Sequence, residues 1–250
     1  LSTSGVAHQS RLMIEALLNT GKFQVISLGG AIKHGSYQPI RTEEFGDEWT
    51  VYPVEGFGNV DIVRSIIRNE KPDILWIMTD PRFYGWLWQI EDEIRPLIPI
   101  VYYHVWDNYP YPKFNIKWYL SNDVICTISK LTDDIVRTVA PEVECHYVPH
   151  AIKTDTFKKL SPEIKEKLQQ DNFPDWDHEK FIFFWNSRNA RRKMSSSIIW
   201  WFKEFLDEIG HDKAVLLMHT DPYDENGPNL QAIVEELDLL DGQVLFSRQK

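Results

Sequence analysis

Residues 181–202, which read FIFFWNSRNARRKMSSSIIWWF, decide the fold. Five consecutive apolar residues open this stretch, and such a run is typical of a strand buried on both faces of a parallel sheet. A polar turn follows, and a helix is predicted to open at 195–197, because serine is a favoured N-cap residue. The turn carries four cations, Arg188, Arg191, Arg192 and Lys193. Ligands of open α/β sheets collect at the carboxyl ends of strands, beside helix N-termini, so we predict that this turn binds a diphosphate.

The rest of the chain alternates between strands and helices, which predicts an α/β fold built from βα units. Apolar strand patterns recur up to residue 150, at 23–28, 49–54, 74–78, 98–104, 124–128 and 143–148. A polar stretch with three prolines then interrupts the rhythm, which restarts at residue 180. We therefore predict a Rossmann-like domain at 1–150, a linker at 151–179 and the first half of a second domain at 180–250. Both ends look internal to a domain, so we expect that a first strand and the rest of the second domain are missing.

The composition restricts the classes of partner. The formal net charge is −10, which argues against nonspecific binding to nucleic acid and against electrostatic docking on anionic lipid. No apolar run approaches the roughly 20 residues that span a bilayer. Trp200, Trp201, Phe202 and Phe205 raise the alternative of a peripheral membrane contact, but acidic residues alternate with them and favour packing onto the sheet. Two cysteines fit a reducing compartment, and a cytoplasmic location is predicted.

Four phrases together carry a family resemblance over nearly the whole chain. They are a glycine turn before a helix at 4–8, a strand ending in His104 with Asp107 beyond it, the phrase PHAIKTDTF at 149–157, and the pair Arg188 and Lys193. In these phrases the chain resembles the retaining family 4 glycosyltransferases, which have the GT-B fold. Two positions depart from the family phrase: Ala151 stands where glycine is usual and Lys153 where aspartate is usual. The family's acidic donor-sugar motif is expected beyond residue 250.

The resemblance implies two Rossmann-like domains facing a cleft and a hexosyltransferase-like reaction that retains configuration. The donor would be a UDP- or GDP-linked sugar, the acceptor a glycan or another molecule, and no metal or other cofactor would be needed. The implied roles are Arg188, Lys193 and Gly5 on the donor diphosphate, His104 as the catalytic residue, and Asp107, Tyr109, His150 and Arg192 as further acceptor or donor contacts. Arginine offers a planar bidentate fork and lysine a mobile point charge, and both suit a diphosphate.

Each assignment has a structural alternative. The basic run also fits an ordinary solvated turn, and His104 also fits a core histidine satisfied by backbone groups. Gly5 also fits a simple turn before a helix. At the level of function, the alternatives are a sugar-nucleotide epimerase or hydrolase of GT-B fold and a non-catalytic sugar-nucleotide-binding fragment. The sequence contains no Gly-x-Ser-x-Gly elbow, no P-loop and no GxGxxG, which disfavours a serine hydrolase, a P-loop enzyme and a Rossmann dehydrogenase.

Overall fold

The computed structural model describes residues 4–30, 33–172, 180–240 and 242–247. The chain divides into two compact units, Leu1–Phe157 and Lys158–Lys250. The first unit therefore extends past residue 150 into the segment predicted as the linker. Part of that predicted linker, 173–179, lies outside the described residues.

Unit 1, Leu1–Phe157, is built from strands and helices that mostly alternate along the chain. Its strands are β1 Val25–Gly29, β2 Ile40–Thr42, β3 Gly46–Pro53, β4 Leu75–Met78, β5 Ile100–His104, β6 Val124–Thr127 and β7 Glu144–Tyr147. Its α-helices are α1 Gly5–Leu18, α2 Val60–Glu70, α3 Gly85–Trp88, α4 Glu91–Ile94, α5 Ile116–Leu120 and α6 Lys130–Val139. The aromatic stretch after β4 forms a 3-10 turn at Pro81–Phe83 followed by the short helices α3 and α4.

The main sheet of unit 1 has the order β4-β5-β6-β7, with every pair parallel. Its core includes Ile100, Tyr102, Ile125 and Ile135, each fully buried, as expected for strands covered on both faces. A second sheet has the order β1-β3-β2, in which β2 runs antiparallel to β3. The sequence pattern missed β2, because this three-residue edge strand lies in a polar stretch.

The segment after β7 is fastened to α1. The amide Nε2 of Gln9 donates to the carbonyl of Ala151 at 2.8 Å, and Lys153 Nζ lies 3.2 Å from a carboxylate oxygen of Glu15. Burial raises the pKa of Glu15, but hydrogen bonds from Arg11 and Lys153 outweigh it and leave that pKa below its ordinary value. Lys153, where the resembled family has aspartate, thus pairs with an acid on α1.

Unit 2, Lys158–Lys250, holds a three-stranded parallel sheet. Its elements are α7 Pro162–Asn172, β8 Phe181–Asn186, α8 Ser195–Ile209, β9 Ala214–His219, α9 Leu230–Glu236 and β10 Val244–Phe246. The strand order β10-β9-β8 is the order 3-2-1 that begins a doubly wound sheet. Helices α8 and α9 contribute Ile199, Leu206 and Leu230 to one core with the sheet.

The prediction that β8 is buried on both faces is wrong for the described residues. Strand β8 lies at the edge of the sheet and pairs with β9 alone, and Phe181 and Phe184 are 65% and 63% exposed. An apolar run shows that both faces of a strand are apolar, but it does not show which neighbours cover them. On α8, Phe202 is buried, whereas Trp200 and Trp201 are each more than half exposed and do not pack onto the sheet as predicted.

Candidate functional site

The basic turn lies at the carboxyl end of β8, as its sequence position predicted. Strand β8 ends at Asn186, a 3-10 turn occupies Arg191–Lys193, and α8 begins at Ser195. The side chains of all three residues of this 3-10 turn are exposed. Among the residues that the structure describes, none of these three cations takes part in an ion pair.

The start of α8 has no side-chain cap, contrary to the prediction of a serine N-cap. The N-cap residue is Met194, which has a left-handed φ of 52° and makes no capping hydrogen bond through its side chain. Ser195 is instead the first helical residue, and its hydroxyl donates to Asn189 Oδ1 at 2.7 Å. Because the first amide groups of a helix have no partners within the helix, the first turn of α8 keeps donors for another acceptor.

Arg188 makes a bidentate ion pair with Asp224. Its Nε and Nη2 atoms lie 2.6 and 3.1 Å from the two carboxylate oxygens. The hydrogen bond from Arg188 is the largest of the effects that hold the pKa of Asp224 well below its ordinary value. The guanidinium fork predicted to bind a phosphate is therefore already occupied by a carboxylate. Sequence reasoning missed Asp224, because it is 36 residues away in the loop after β9.

Asn189 joins the basic turn to that same loop. This fully buried side chain accepts from Ser195 and donates to the carbonyl of Pro228 at 2.8 Å. The backbone reinforces the contact, since the amide of Arg191 donates to the carbonyl of Asn226 at 3.2 Å. A Cβ at Gly227 would lie 2.3 Å from Asn189 Oδ1, so only glycine fits there without displacing the asparagine. Sequence reasoning missed this asparagine as well.

A shallow depression of about 320 Å³ opens at the start of α8. Its lining residues are Arg191, Ser195, Ser196, Gly227 and Pro228. Of the four predicted cations, the depression therefore brings Arg191 beside the uncapped helix start. The depression joins a cation, two serines and backbone amides, which is the donor set that suits an anionic ligand.

In unit 1, the carboxyl end of β4 lies beside the first half of α1. The Ser10 hydroxyl on α1 contacts the Met78 sulfur at the end of β4, at 3.2 Å. Gly5 is the first residue of α1, and the Ser4 hydroxyl accepts from the amide of Ala7 at 3.2 Å to cap the helix. A Cβ added to Gly5 would meet no atom of the described residues within 4 Å, so none of them requires glycine there.

His104 ends β5, as predicted, and its side chain is fully buried. Both ring nitrogens are engaged, Nδ1 with the hydroxyl of Tyr102 at 2.8 Å and Nε2 with the hydroxyl of Tyr119 at 2.7 Å. Burial lowers the pKa of His104 to about 3, against the opposing attraction of the Asp80 carboxylate. The imidazole is therefore neutral at ordinary pH. Its partners are side-chain hydroxyls, whereas the core alternative invoked backbone groups.

The other predicted contact residues of unit 1 lie on the protein surface, in the segments that follow the carboxyl ends of β5 and β7. Asp107 is exposed in the loop after β5, and Tyr109 is 86% exposed, with its ring 6.1 Å edge-on from that of Tyr111. His150 stacks on Tyr103 with the ring centroids 5.6 Å apart, and burial lowers its pKa. The described contacts do not join these side chains into one cluster.

Two further structural findings concern metals and membranes. In the described ranges, no group of three or more His, Cys, Asp or Glu side chains is arranged to hold a metal ion. None of the described helices combines the length and the apolar character needed to cross a membrane.

Comparison with solved structures identifies the fold. The chain is similar to α,α-trehalose 6-phosphate synthase from Burkholderia multivorans, with a TM-score of 0.67 and 11% identity over 99% of this chain and 69% of that one. It is similar to a glycosyltransferase from Rickettsia africae, with a TM-score of 0.65 and 15% identity over 100% of this chain and 66% of that one. Anabaena HepE, solved with UDP and glucose, gives a TM-score of 0.64 and 13% identity over 98% and 66%. The chain has the GT-B fold.

This GT-B chain spans 66–69% of the length of the three structures. No protein-family model matches its sequence, and the comparison with curated proteins also gave no match. The predicted GT-B architecture is therefore confirmed by structural likeness alone. Membership of family 4 remains a prediction.

Proposed function

We propose that this chain transfers a sugar from a UDP- or GDP-linked donor to an acceptor, with retention of configuration and without a metal cofactor. The observation that carries the proposal is the cluster of cations at the uncapped start of α8, in a chain of net charge −10. Cations that cluster at the carboxyl ends of parallel strands, in a protein that is acidic elsewhere, are suited to bind an anionic ligand. The UDP and glucose in the HepE structure support the choice of a nucleotide sugar.

In this proposal the donor diphosphate lies over the depression at the start of α8. The amides of the first helical turn and the guanidinium of Arg191 would donate to its oxygens, while Lys193 and Arg192 supply exposed positive charge beside them. Arg188 keeps the role predicted for it only by sharing its guanidinium between Asp224 and the phosphate. The Asp224 carboxylate holds that guanidinium at the turn before any ligand arrives.

These groups would also assist the reaction itself. As the bond between the sugar and the diphosphate breaks, negative charge grows on the leaving oxygen. Preorganised donors that meet this charge lower the barrier, and the loss of one such donor typically costs about 3–4 kcal/mol. The fold fixes the backbone amides in the first turn of α8, and Asp224 holds the Arg188 guanidinium, so these donors need little reorganisation at that moment.

We assign the acceptor to the carboxyl edge of unit 1. The exposed Asp107 and Tyr109 and the stacked His150 offer a carboxylate, a phenol and an imidazole at that edge. An aromatic ring and hydrogen-bonding groups together suit a sugar or another hydroxyl-rich acceptor. Gly5 begins the helix whose first half borders the same edge.

Nucleoside diphosphate affinity tests the proposal. In isothermal titration calorimetry with UDP and with GDP, Arg191→Ala and Lys193→Ala are each expected to weaken binding roughly tenfold. The first removes a hydrogen bond between charged groups, and the second removes a neighbouring positive charge. The matched control is Lys213→Ala. This substitution removes an exposed cation just before the amino end of β9, so it lies at the end of the strands opposite to the basic turn.

An affinity that is unchanged in the Arg191→Ala/Lys193→Ala double variant would contradict the diphosphate assignment, as would an equal loss in the control. A thermal-shift panel of UDP-, GDP- and ADP-linked sugars then selects the donor. Nuclear magnetic resonance of the anomeric product tests retention and separates transfer from epimerisation and hydrolysis.

A further inference from the structure

Thr79 has a backbone conformation that its side chain disfavours. It follows β4 with φ of 140°, a region that is nearly confined to glycine and that is rare for a β-branched residue. The next residue, Asp80, caps the 3-10 turn Pro81–Phe83 by accepting from the amide of Arg82 at 3.0 Å. The turn formed by Thr79 and Asp80 lies at the carboxyl end of β4, which is the edge assigned above to the acceptor. A strained conformation there requires contacts that hold it in place.

The carbonyl of Thr79 ends a buried chain of hydrogen bonds. It accepts from the Tyr102 hydroxyl at 2.8 Å, so that phenol oxygen is left to accept from His104 Nδ1, also at 2.8 Å. On the far side of the imidazole, His104 Nε2 accepts from the Tyr119 hydroxyl at 2.7 Å, and Asn115 Nδ2 donates to the same hydroxyl at 3.3 Å. All four side chains are fully buried.

The two ends of this chain determine the direction of every bond in it. A carbonyl oxygen can only accept and an amide NH₂ can only donate, so each hydroxyl between them has one arrangement that satisfies both neighbours. His104 is thereby assigned as the neutral tautomer with its proton on Nδ1. Tyr119 selects this tautomer by donating to Nε2, and His104 in turn directs the Tyr102 hydrogen onto Thr79.

We propose that His104 is a positioning residue, which acts through Tyr102 to hold the Thr79–Asp80 turn in its strained conformation. Tyr119 makes no described contact with the turn. It fixes the tautomer of His104 and therefore acts on the turn through His104 and Tyr102. A direct contact between His104 and a ligand would require one of the two tyrosine bonds to break inside a fully buried site. The statement that the turn serves an acceptor rests on the proposed function. The chain of hydrogen bonds from Asn115 to Thr79, called the relay below, does not depend on it.

Amide hydrogen exchange in the complete, ligand-free protein tests the proposal. The amides of Arg82, Phe83 and Tyr84 report on the turn, because they bond to Asp80 and Pro81. Tyr102→Phe removes the direct bond to Thr79 and is expected to raise exchange at 79–84 about tenfold. Tyr119→Phe leaves both atoms of the Tyr102–Thr79 hydrogen bond in place. It is nevertheless expected to raise exchange at the same amides about fivefold. In ¹⁵N nuclear magnetic resonance it is expected to give a mixture of the two neutral His104 tautomers.

The matched control is Tyr103→Phe. Tyr103 is the next residue along β5, equally buried, and its hydroxyl donates to the carbonyl of Val148 at 2.6 Å, outside the relay. It is expected to leave exchange at 79–84 and the His104 tautomer unchanged. Unchanged exchange and an unchanged tautomer in Tyr119→Phe would overturn the proposal, as would an equal rise at 79–84 in the control. Neither measurement contains a nucleotide, so a failure of the proposed donor site would not affect either result.

Discussion

Lowering the pH from 6.5 to 4 is expected to remove about 3 kcal/mol from the free energy of unfolding through His104 alone. Burial lowers the pKa of this side chain to about 3 in the folded protein, whereas a histidine in an unfolded chain has its ordinary value of 6.5. Between these two values the unfolded state binds more protons than the folded state. The stabilisation is therefore complete above pH 6.5 and is lost as the pH falls toward the folded pKa.

Urea unfolding at a series of pH values measures this effect. The slope of unfolding free energy against pH is expected to fall by at most about 1.4 kcal/mol per pH unit in His104→Gln, which cannot titrate there. The matched control is His146→Gln, since His146 is an exposed histidine of the same unit that pairs with Glu144. Equal slopes in the native protein and in His104→Gln would contradict the prediction. If His104→Gln does not fold, a ¹⁵N titration of the native His104 ring carries the test, and titration near pH 6.5 would contradict it.

Replacing Asn189 with alanine is expected to destabilise unit 2 by about 2–4 kcal/mol. The substitution leaves the Ser195 hydroxyl and the Pro228 carbonyl without their buried partner, and each unsatisfied buried group costs about 1–3 kcal/mol. The basic turn and the loop after β9 would separate, and the depression at the start of α8 would lose its shape. Chemical denaturation followed by the nuclear magnetic resonance signals of unit 2 checks the loss of stability.

The matched control for Asn189 is Asn186→Ala. Asn186 is an exposed asparagine three residues earlier, at the end of β8, and its loss is expected to change stability by less than about 0.5 kcal/mol. Gly227→Ala supplies an independent check on the same contact, because the new Cβ would collide with Asn189. Equal stability of Asn189→Ala and Asn186→Ala would show that the asparagine does not join the two loops.

The sequence predicted those features of the fold that depend on local patterns. The alternation of apolar runs with amphipathic stretches predicted parallel α/β units, and the comparisons confirm the GT-B architecture. The same reasoning placed Arg188 and Lys193 at the end of β8 and His104 at the end of β5, because a strand end is marked by its own residues. It failed for β8 itself, since the same apolar run describes an interior strand and an edge strand equally well.

The sequence by itself determined where the strands end and which chemically active side chains stand at those ends. Only the tertiary structure decided the partners of these side chains: Asp224 beside Arg188, two tyrosines around His104, and Glu15 beside Lys153. The physical reason is the distance along the chain. A strand end follows from hydrophobic periodicity within about ten residues. The paired residues, apart from His104 and its near neighbour Tyr102, are 15 to 138 positions apart. The burial of His104 was likewise decided only by the tertiary structure, because the neighbours that exclude water from it come from distant segments of the chain.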